Sequence, residues 1–285
     1  MQINREQILL SLELMDIRPG DVLLVHSALT SIGQVEGGAD TVIDALLTAI
    51  GPEGTLVMST LTGWGAPFDP QHSPSAVGII SEVFRKRPGV LRSLHPVHSV
   101  AAFGRQAAYV VEGHERCETG CGHGTPYMKV AELGGKILLL GVDMDRNTMM
   151  HTLEELVDSR YLLTLAIPAP LYPPYNGKGQ FVLKKFPPGH RDYLNISGLL
   201  RKEGVMVEGL IGRAVTKVID ARRLLEVGQR VLQEDPLFFI CHNEHCNFCR
   251  FARSQYAQQP LSIHRHNHCQ DPTCEICVPP AATTR

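Results

Sequence analysis

This 285-residue chain has no long apolar run, little net charge and few cysteines over most of its length. No apolar stretch approaches the roughly 18 residues that a membrane-spanning helix needs, and the opening residues lack the basic-then-apolar pattern of a secretion signal. The 27 basic side chains are balanced by 29 acidic ones, a net charge of -2, so no general attraction to nucleic acid is expected. These absences predict a cytoplasmic protein that binds neither membranes nor nucleic acid.

Cysteine is nearly absent from the first 240 residues, where Cys117 and Cys121 stand alone, whereas six cysteines fall within residues 241–285. In a reducing cytoplasm, clustered cysteines are more often metal ligands than disulfide partners. The uneven distribution predicts a main domain over residues 1–240 and a Cys/His-rich metal-binding extension over residues 241–285.

The main domain alternates helical and extended patterns. Apolar periodicity and turn residues predict helices at 4–17, 39–50, 73–86, 126–133, 148–159 and 221–233, and strands at 22–25, 56–58, 97–103, 136–142 and 209–219. A proline-rich stretch carries two further predicted strands, at 162–167 and 180–185. This order predicts an α/β fold, a layered sandwich around a central mixed, partly parallel sheet.

Two polar stretches next to predicted strands contain groups suited to an anionic or amide-rich ligand. The first, residues 26–33, offers hydroxyls and backbone N–H groups after a strand, and the second, residues 92–99, adds a guanidinium and two imidazoles. The alternative interpretation is structural: a polar loop that caps its own turns, and a polar sheet edge.

The most informative segment follows the buried strand that ends near Gly141. His151 lies in the first turn of the next helix, with Glu154 three residues and Glu155 four residues further on. These spacings bring either carboxylate next to the imidazole, which predicts a general base at the carboxyl end of a sheet strand. The alternative is a solvated acidic helix with an incidental histidine. Neither G-x-S-x-G nor H-E-x-x-H occurs, so a serine hydrolase and a zinc protease are disfavoured.

Three long segments, in order and register, resemble the aminoglycoside 3-N-acetyltransferase family over about residues 4–235. They are VHSALTSIGQVEGGADTVIDALLTAIGPEGTLVMST, FDPQHSPSAVGIISEVFRKRPGVLRSLHPVHSVAAFG and GHGTPYMKVAELGGKILLLGVDMDRNTMMHTLEE. The resemblance implies direct transfer of an acetyl group from acetyl-CoA to an amine, with His151 as base and Glu154 as its carboxylate partner. It also implies coenzyme A contacts along His26, Ser27, Leu29, Ser31, Ile32, Gly33, Arg92, Ser93, His95 and Ser99.

A negatively charged lining would suit the polycationic acceptors of that family. We expect it to come from Asp69, Asp143, Asp145 and Glu155. Ser59 and the loop at residues 121–125 depart from the family pattern beside the expected acceptor cleft, so an aminoglycoside, an amino-sugar intermediate and another amine all stay open. Cys117 and Cys121 suggest a thiol nucleophile as an alternative, but direct transfer needs none.

The extension contains two Cys-x2-Cys pairs, Cys246 with Cys249 and Cys274 with Cys277, separated by 24 residues. Such pairs are typical of structural zinc sites, so we expect these four thiolates to bind Zn2+. Further candidate ligands are Cys241, Cys269, His245 and His268. Iron–sulfur ligation and reversible disulfides are the alternatives.

The leading hypothesis is therefore an acetyl-CoA-dependent N-acetyltransferase that acts on a small-molecule amine and carries a structural zinc extension. A metal-regulated binding or scaffold protein on the same fold is the alternative. The sequence leaves the oligomeric state open, a homo-oligomer included.

Overall fold

The computed structural model describes residues 2–62, 68–117, 119–168, 180–186 and 189–257. The helices are α1 Arg5–Leu14, α2 Leu29–Ile32, α3 Gly38–Ile50, α4 Ile79–Arg85, α5 Ala107–Val111, α6 Pro126–Glu132, α7 Met149–Leu156, α8 Ser197–Lys202, α9 Ala221–Glu234 and α10 Asn247–Tyr256. The strands are β1 Val22–Ser27, β2 Thr55–Ser59, β3 Leu91–Arg92, β4 Val100–Gly104, β5 Lys136–Leu140, β6 Leu163–Pro168, β7 Gln180–Phe186, β8 Met206–Ile211 and β9 Ala214–Asp220.

A seven-stranded mixed sheet forms the centre, in the order β3-β4-β2-β1-β5-β9-β8. Its middle is parallel, because β1 pairs in parallel with both β2 and β5, and the outer pairs are antiparallel. β6 and β7 form a separate antiparallel pair. The predicted α/β sandwich around a mixed, partly parallel sheet is confirmed.

Two helical layers cover the sheet, because alternate residues of its central strands point to opposite faces. Leu24 of β1 packs with α5, α6, α7 and α9, whereas Leu23 packs with α1, α3 and α4. Both leucines are fully buried. The run of apolar residues in β1 is therefore explained by burial on both faces.

Three local predictions were wrong. The predicted helix at 73–86 begins only at Ile79, because Gly78 before it has φ +122°, which a helix cannot contain. Residues 97 and 98 lie in a turn, and β4 begins only at Val100, since the N–H groups of Val97 and His98 donate to Nδ1 of His95. The single strand predicted at 209–219 is the hairpin of β8 and β9.

The described part of the predicted extension, residues 241–257, packs onto residues that precede it. Phe248, Cys249 and Ala252 of α10 form a small apolar cluster with Tyr161 and Ile240. Residues 258–285 lie outside the described part. No helix within the described ranges is long and apolar enough to cross a membrane.

Candidate active site

The candidate site lies where the parallel strands end. β1, β2 and β5 finish at one edge, and the chain leaves β1 toward the α3 layer and β5 toward the α7 layer. Adjacent strands whose connections diverge in this way open a crevice, which is where α/β folds bind ligands. The Ala28 N–H donates to the Leu140 carbonyl at 3.0 Å, and the Ser31 hydroxyl donates to the Gly141 carbonyl at 2.9 Å, so both sides of the crevice are tied together.

His151 and Glu154 form a hydrogen-bonded pair on α7. The imidazole Nδ1 lies 3.1 Å from Oε2 of Glu154, with the carboxylate fully buried and the imidazole side chain 23% exposed. Among the described residues, the other ring nitrogen of His151, Nε2, has no hydrogen-bond partner. The carboxylate therefore sits behind the ring, and the nitrogen that faces away from it is available to accept a proton.

Two residues that are distant in the sequence also contact Glu154. The buried guanidinium of Arg191 forms an ion pair with Oε1 through its Nε, and the hydroxyl of Tyr161 donates to Oε1 at 3.0 Å. Burial raises the pKa of Glu154, but the charge of Arg191 and the hydrogen bond from His151 outweigh it and lower that pKa to about 2. The carboxylate stays ionised and favours a proton on Nδ1 of His151.

Tyr193 packs against the same imidazole. Its hydroxyl lies 2.9 Å from Nδ1 of His151, and the two rings meet edge to face at 5.7 Å between centroids. Neither Tyr193, Arg191 nor Tyr161 was predicted as a site residue. No local signal could have found them, because they meet α7 only through the tertiary fold.

The turn at residues 26–33 consists of the last two residues of β1 and the single helical turn α2, at the edge where the parallel strands end. His26 is buried, its Nε2 has no hydrogen-bond partner among the described residues, and burial lowers its pKa to about 4. Ser27, Leu29 and Ser31 are half-buried, whereas the side chain of Ile32 lies in the core. Gly33 has φ +105° and lies against the guanidinium of Arg213, so a side chain there would be strained.

Arg92 lies inside the protein's own hydrogen-bond network. Its guanidinium donates to the Thr60 carbonyl at 2.8 Å and to the Ser73 carbonyl at 2.5 Å, and it stacks over the Phe68 ring at 5.2 Å. Desolvation lowers its pKa to about 10. This geometry attaches the loop before α4 to the ends of β2 and β4.

The other predicted cosubstrate contacts of this segment are buried. The Ser93 hydroxyl bonds to Nδ1 of His114 at 2.9 Å, and the Ser99 hydroxyl donates to the Thr60 carbonyl at 2.8 Å. His95 is fully buried and stacks on His114 with 4.5 Å between ring centroids. Burial holds the pKa of His95 well below its usual value, so the ring is neutral.

The four carboxylates expected to line an acceptor site differ in their exposure and in their ion-pair partners. Asp69 and Asp145 are exposed, Asp69 beside His72 at 2.9 Å and Asp145 beside Arg146 at 3.2 Å. Asp143 pairs with Nζ of Lys217 at 2.6 Å and is 43% exposed. These three can present charge to solvent.

Glu155 differs from these three because it is buried and its contacts come from the loop around Cys121. Its Oε1 accepts the Cys121 N–H at 3.2 Å, and it lines a cavity of about 550 Å³ together with Cys117, Lys129 and Lys185. Burial raises its pKa to about 7 despite opposing hydrogen bonds. Burial also raises the pKa of Cys121 well above the usual thiol value, which disfavours that residue as a nucleophile.

A separate Cys/His cluster joins three cysteines of residues 241–249 to a histidine far upstream. The ligand atoms of Cys241, Cys246 and Cys249 lie within 4.8 Å of one another and of His190, a residue of the main domain that was not predicted. His245 is exposed and does not belong to this group. The predicted ligands Cys269, Cys274, Cys277 and His268 lie outside the described residues.

Comparisons with known proteins agree with this architecture. The sequence model of the aminoglycoside 3-N-acetyltransferase family matches residues 24–233. Aminoglycoside N(3)-acetyltransferase IV of Salmonella sp is 33% identical over 237 residues, which cover 79% of this chain and 85% of that enzyme. The crystal structure of the apoenzyme of aminoglycoside acetyltransferase AAC(3)-IVa has a TM-score of 0.82 at 30% identity, covering 90% of this chain and 98% of that one.

A further solved structure is AAC-IIIb in a binary complex with CoASH. Its TM-score is 0.72 at 27% identity, with 82% of this chain and 97% of that chain covered. The fold, the histidine–carboxylate pair and these similarities define an acetyl-CoA-dependent N-acetyltransferase. The chain belongs to the aminoglycoside 3-N-acetyltransferase family.

Proposed function

We propose that this enzyme transfers the acetyl group of acetyl-CoA directly to an amino group of an aminoglycoside or a related amino-sugar-like amine, with His151 as general base and Glu154 as the group that orients it. The observation that carries the proposal is the buried, ionised Glu154 behind Nδ1 of His151, with Nε2 facing away from it. This arrangement holds the proton on Nδ1 and keeps the Nε2 lone pair for the substrate.

The reaction proceeds without an acyl-enzyme. The acceptor nitrogen bonds to the thioester carbonyl carbon while Nε2 of His151 takes a proton from that nitrogen. The carbon–sulfur bond then breaks, and the imidazolium returns the proton to the sulfur of coenzyme A. Positioned base catalysis of this kind contributes roughly 10²–10⁴-fold to the rate. Glu154 stabilises the transient imidazolium because its negative charge is adjacent and desolvated.

The turn at residues 26–33 is the proposed path of the pantetheine arm. It borders the crevice, and within the described residues neither the Ser27 hydroxyl nor Nε2 of the buried His26 has a hydrogen-bond partner. Buried polar atoms normally find partners, and the amide groups of pantetheine would supply them. Arg92, Ser93, His95 and Ser99 already bond within the protein, so we assign the direct contacts to the turn.

The acceptor's positive charge would be attracted by the exposed carboxylates. Asp143 and Asp145 follow β5 and precede α7, so they lie on the same connection that delivers His151. Both side chains are close to half exposed. An aminoglycoside carries several ammonium groups, and solvent-accessible carboxylates near a base are suited to hold them.

The variant His151→Ala tests the proposal. We expect turnover to fall by about 10²-fold or more, because the proton acceptor is lost. Acetyl-CoA affinity, measured by calorimetry, should stay near that of the unchanged enzyme, because the proposed cosubstrate contacts come from residues 26–33 and not from the His151 side chain. Acceptors with and without a 2-deoxystreptamine 3-amino group provide a matched pair. Retained turnover in the variant would reject His151 as base, and binding of acetyl-CoA without acetylation of any amine would favour a binding protein.

A further inference from the structure

We infer that His190, Cys241, Cys246 and Cys249 bind a structural zinc ion, and that this ion holds Arg191 against Glu154. The second half of the inference rests on the proposed function, because it concerns the group that orients His151. The first half concerns metal binding alone. The metal site is inferred from three thiols and one imidazole whose four donor atoms all lie within 4.8 Å of one another.

The geometry fits tetrahedral zinc after a small contraction. With Zn–S bonds of about 2.3 Å, sulfur atoms of a tetrahedral site lie about 3.8 Å apart. Sγ of Cys249 is 3.6 Å from Nδ1 of His190, which identifies Nδ1 as the nitrogen directed at the ion. Cys249 is fully buried and Cys246 is 8% exposed, so the site is closed to solvent on that side.

The local sequence builds the cysteine side of the site. Asn243 forms a turn in which its side chain accepts the His245 N–H at 2.9 Å and its carbonyl accepts the Cys246 N–H at 3.1 Å. Cys246 lies directly before α10 as its N-cap residue, and Cys249 lies in the first turn of that helix, so both are at its N-terminal end. The Arg253 guanidinium donates to the carbonyl of Cys241 and so fixes the third cysteine.

His190 joins this site to the catalytic residues because it directly precedes Arg191. The Arg191 guanidinium lies between two aromatic rings, 4.5 Å from the centroid of Tyr161 and 4.2 Å from that of Phe248. Phe248 belongs to α10, between the two cysteines of the Cys-x2-Cys pair. A metal that holds His190 and α10 together therefore fixes Arg191 from both sides.

Donor chemistry selects the ion and its role. Three thiolates and one imidazole are a common ligand set of structural zinc, and four protein donors leave no open position for catalysis. This ion needs none of Cys269, Cys274, Cys277 or His268. The site differs from the pairing expected from sequence spacing, in which two Cys-x2-Cys pairs share one ion. Arg191 is accordingly a positioning residue, and the metal acts through it.

Metal analysis of the full-length protein tests the site. We expect about one tightly bound zinc ion per chain at this site, and, after exchange with Co2+, the thiolate-to-cobalt charge-transfer and tetrahedral d–d bands of a three-thiolate, one-imidazole set. His190→Ala should lower zinc affinity at least about tenfold, whereas His190→Cys should retain the ion on four thiolates. His245→Ala, which alters an exposed histidine of the same loop, is the matched control and should change nothing. Replacing Cys269, Cys274 and Cys277 by Ser should leave the cobalt spectrum of this site in place.

The positioning role is tested by separating kcat from binding. His190→Ala should lower kcat about tenfold with acetyl-CoA affinity unchanged, and His190→Cys should restore kcat together with zinc. Loss of zinc with full kcat would refute the role of the metal in holding Arg191. No zinc in the unchanged protein, all thiols freely titratable and no cobalt spectrum would refute the site. Zinc bound in an enzyme that acetylates no amine would instead contradict the proposed function and leave the metal site standing.

Discussion

Replacing Glu154 by Gln changes one charge at the centre of the candidate active site while keeping the side chain's shape. Arg191 and Tyr161 both donate to Oε1, so the amide oxygen of Gln must take that position. The amide NH2 then takes the place of Oε2, 3.1 Å from Nδ1 of His151, and donates to it. Nδ1 becomes an acceptor and the ring proton moves to Nε2, the nitrogen that must be free to act as a base.

The magnitude follows from burial. The side chain of Arg191 is 2% exposed, and removing one partner of a buried ion pair costs about 3–5 kcal/mol of unfolding free energy. A domain with about 5–15 kcal/mol of stability still folds at 25 °C, so activity can be measured. We expect kcat to fall by roughly 10²–10⁴-fold, close to the effect of losing the base.

The assay follows the loss of thioester absorbance, which avoids interference from the eight protein cysteines, alongside thermal unfolding by circular dichroism. Glu203→Gln is the matched control, because Glu203 also pairs with an arginine, Arg230, but at the surface. Its cost should be about 1 kcal/mol or less, with kcat unchanged. A Glu154→Gln enzyme with kcat within about threefold of the unchanged enzyme would show that Glu154 serves only Arg191 and does not orient His151.

Two further predictions concern residues whose roles differ from sequence expectation. Because burial raises the pKa of Glu155 to about 7, its contribution to stability is present below the ordinary pKa and lost as pH rises through about 7. The stability of Glu155→Gln should therefore rise relative to that of the unchanged protein as pH increases from 5 to 8, by up to about 3 kcal/mol in urea unfolding. A difference in stability that does not vary with pH would contradict the raised pKa of Glu155. Arg92→Lys should lose about 1–3 kcal/mol, since an ammonium cannot replace the planar fork between two carbonyls. The acetyl-CoA affinity of this variant should be unchanged in calorimetry. Weaker binding would indicate that Arg92 contacts the cosubstrate directly.

The pair of His151 and Glu154 could be predicted because helix geometry places residues three apart on one face, whatever the rest of the chain does. The partners of Glu154 could not. Arg191 comes from the segment after β7, and nothing in the adjacent residues distinguishes a buried guanidinium from a surface one. Its role depends on the rings that enclose it.

The same contrast applies to the fold and the extension. The apolar run of β1 predicted a buried strand, whereas the hairpin of β8 and β9 was missed, because Gly212, with φ +59°, turns the chain within what resembled one strand. Cys246 and Cys249 were predicted from a two-residue spacing, but His190 lies far upstream of both. A ligand contributed from such a distance has no periodicity to reveal it.

By itself, the sequence determined what depends on neighbouring residues: the α/β alternation, the His151–Glu154 spacing, the Cys-x2-Cys pair and the family resemblance. Only the tertiary structure decided which groups meet across the chain. It buried Glu154 between Arg191 and His151, placed Glu155 in the lining of a cavity with Cys117 and Lys129, enclosed Arg92 in internal hydrogen bonds and placed His190 beside three cysteines. The physical reason is that local propensity acts over a few residues, whereas desolvation and charge pairing depend on whatever the fold packs together.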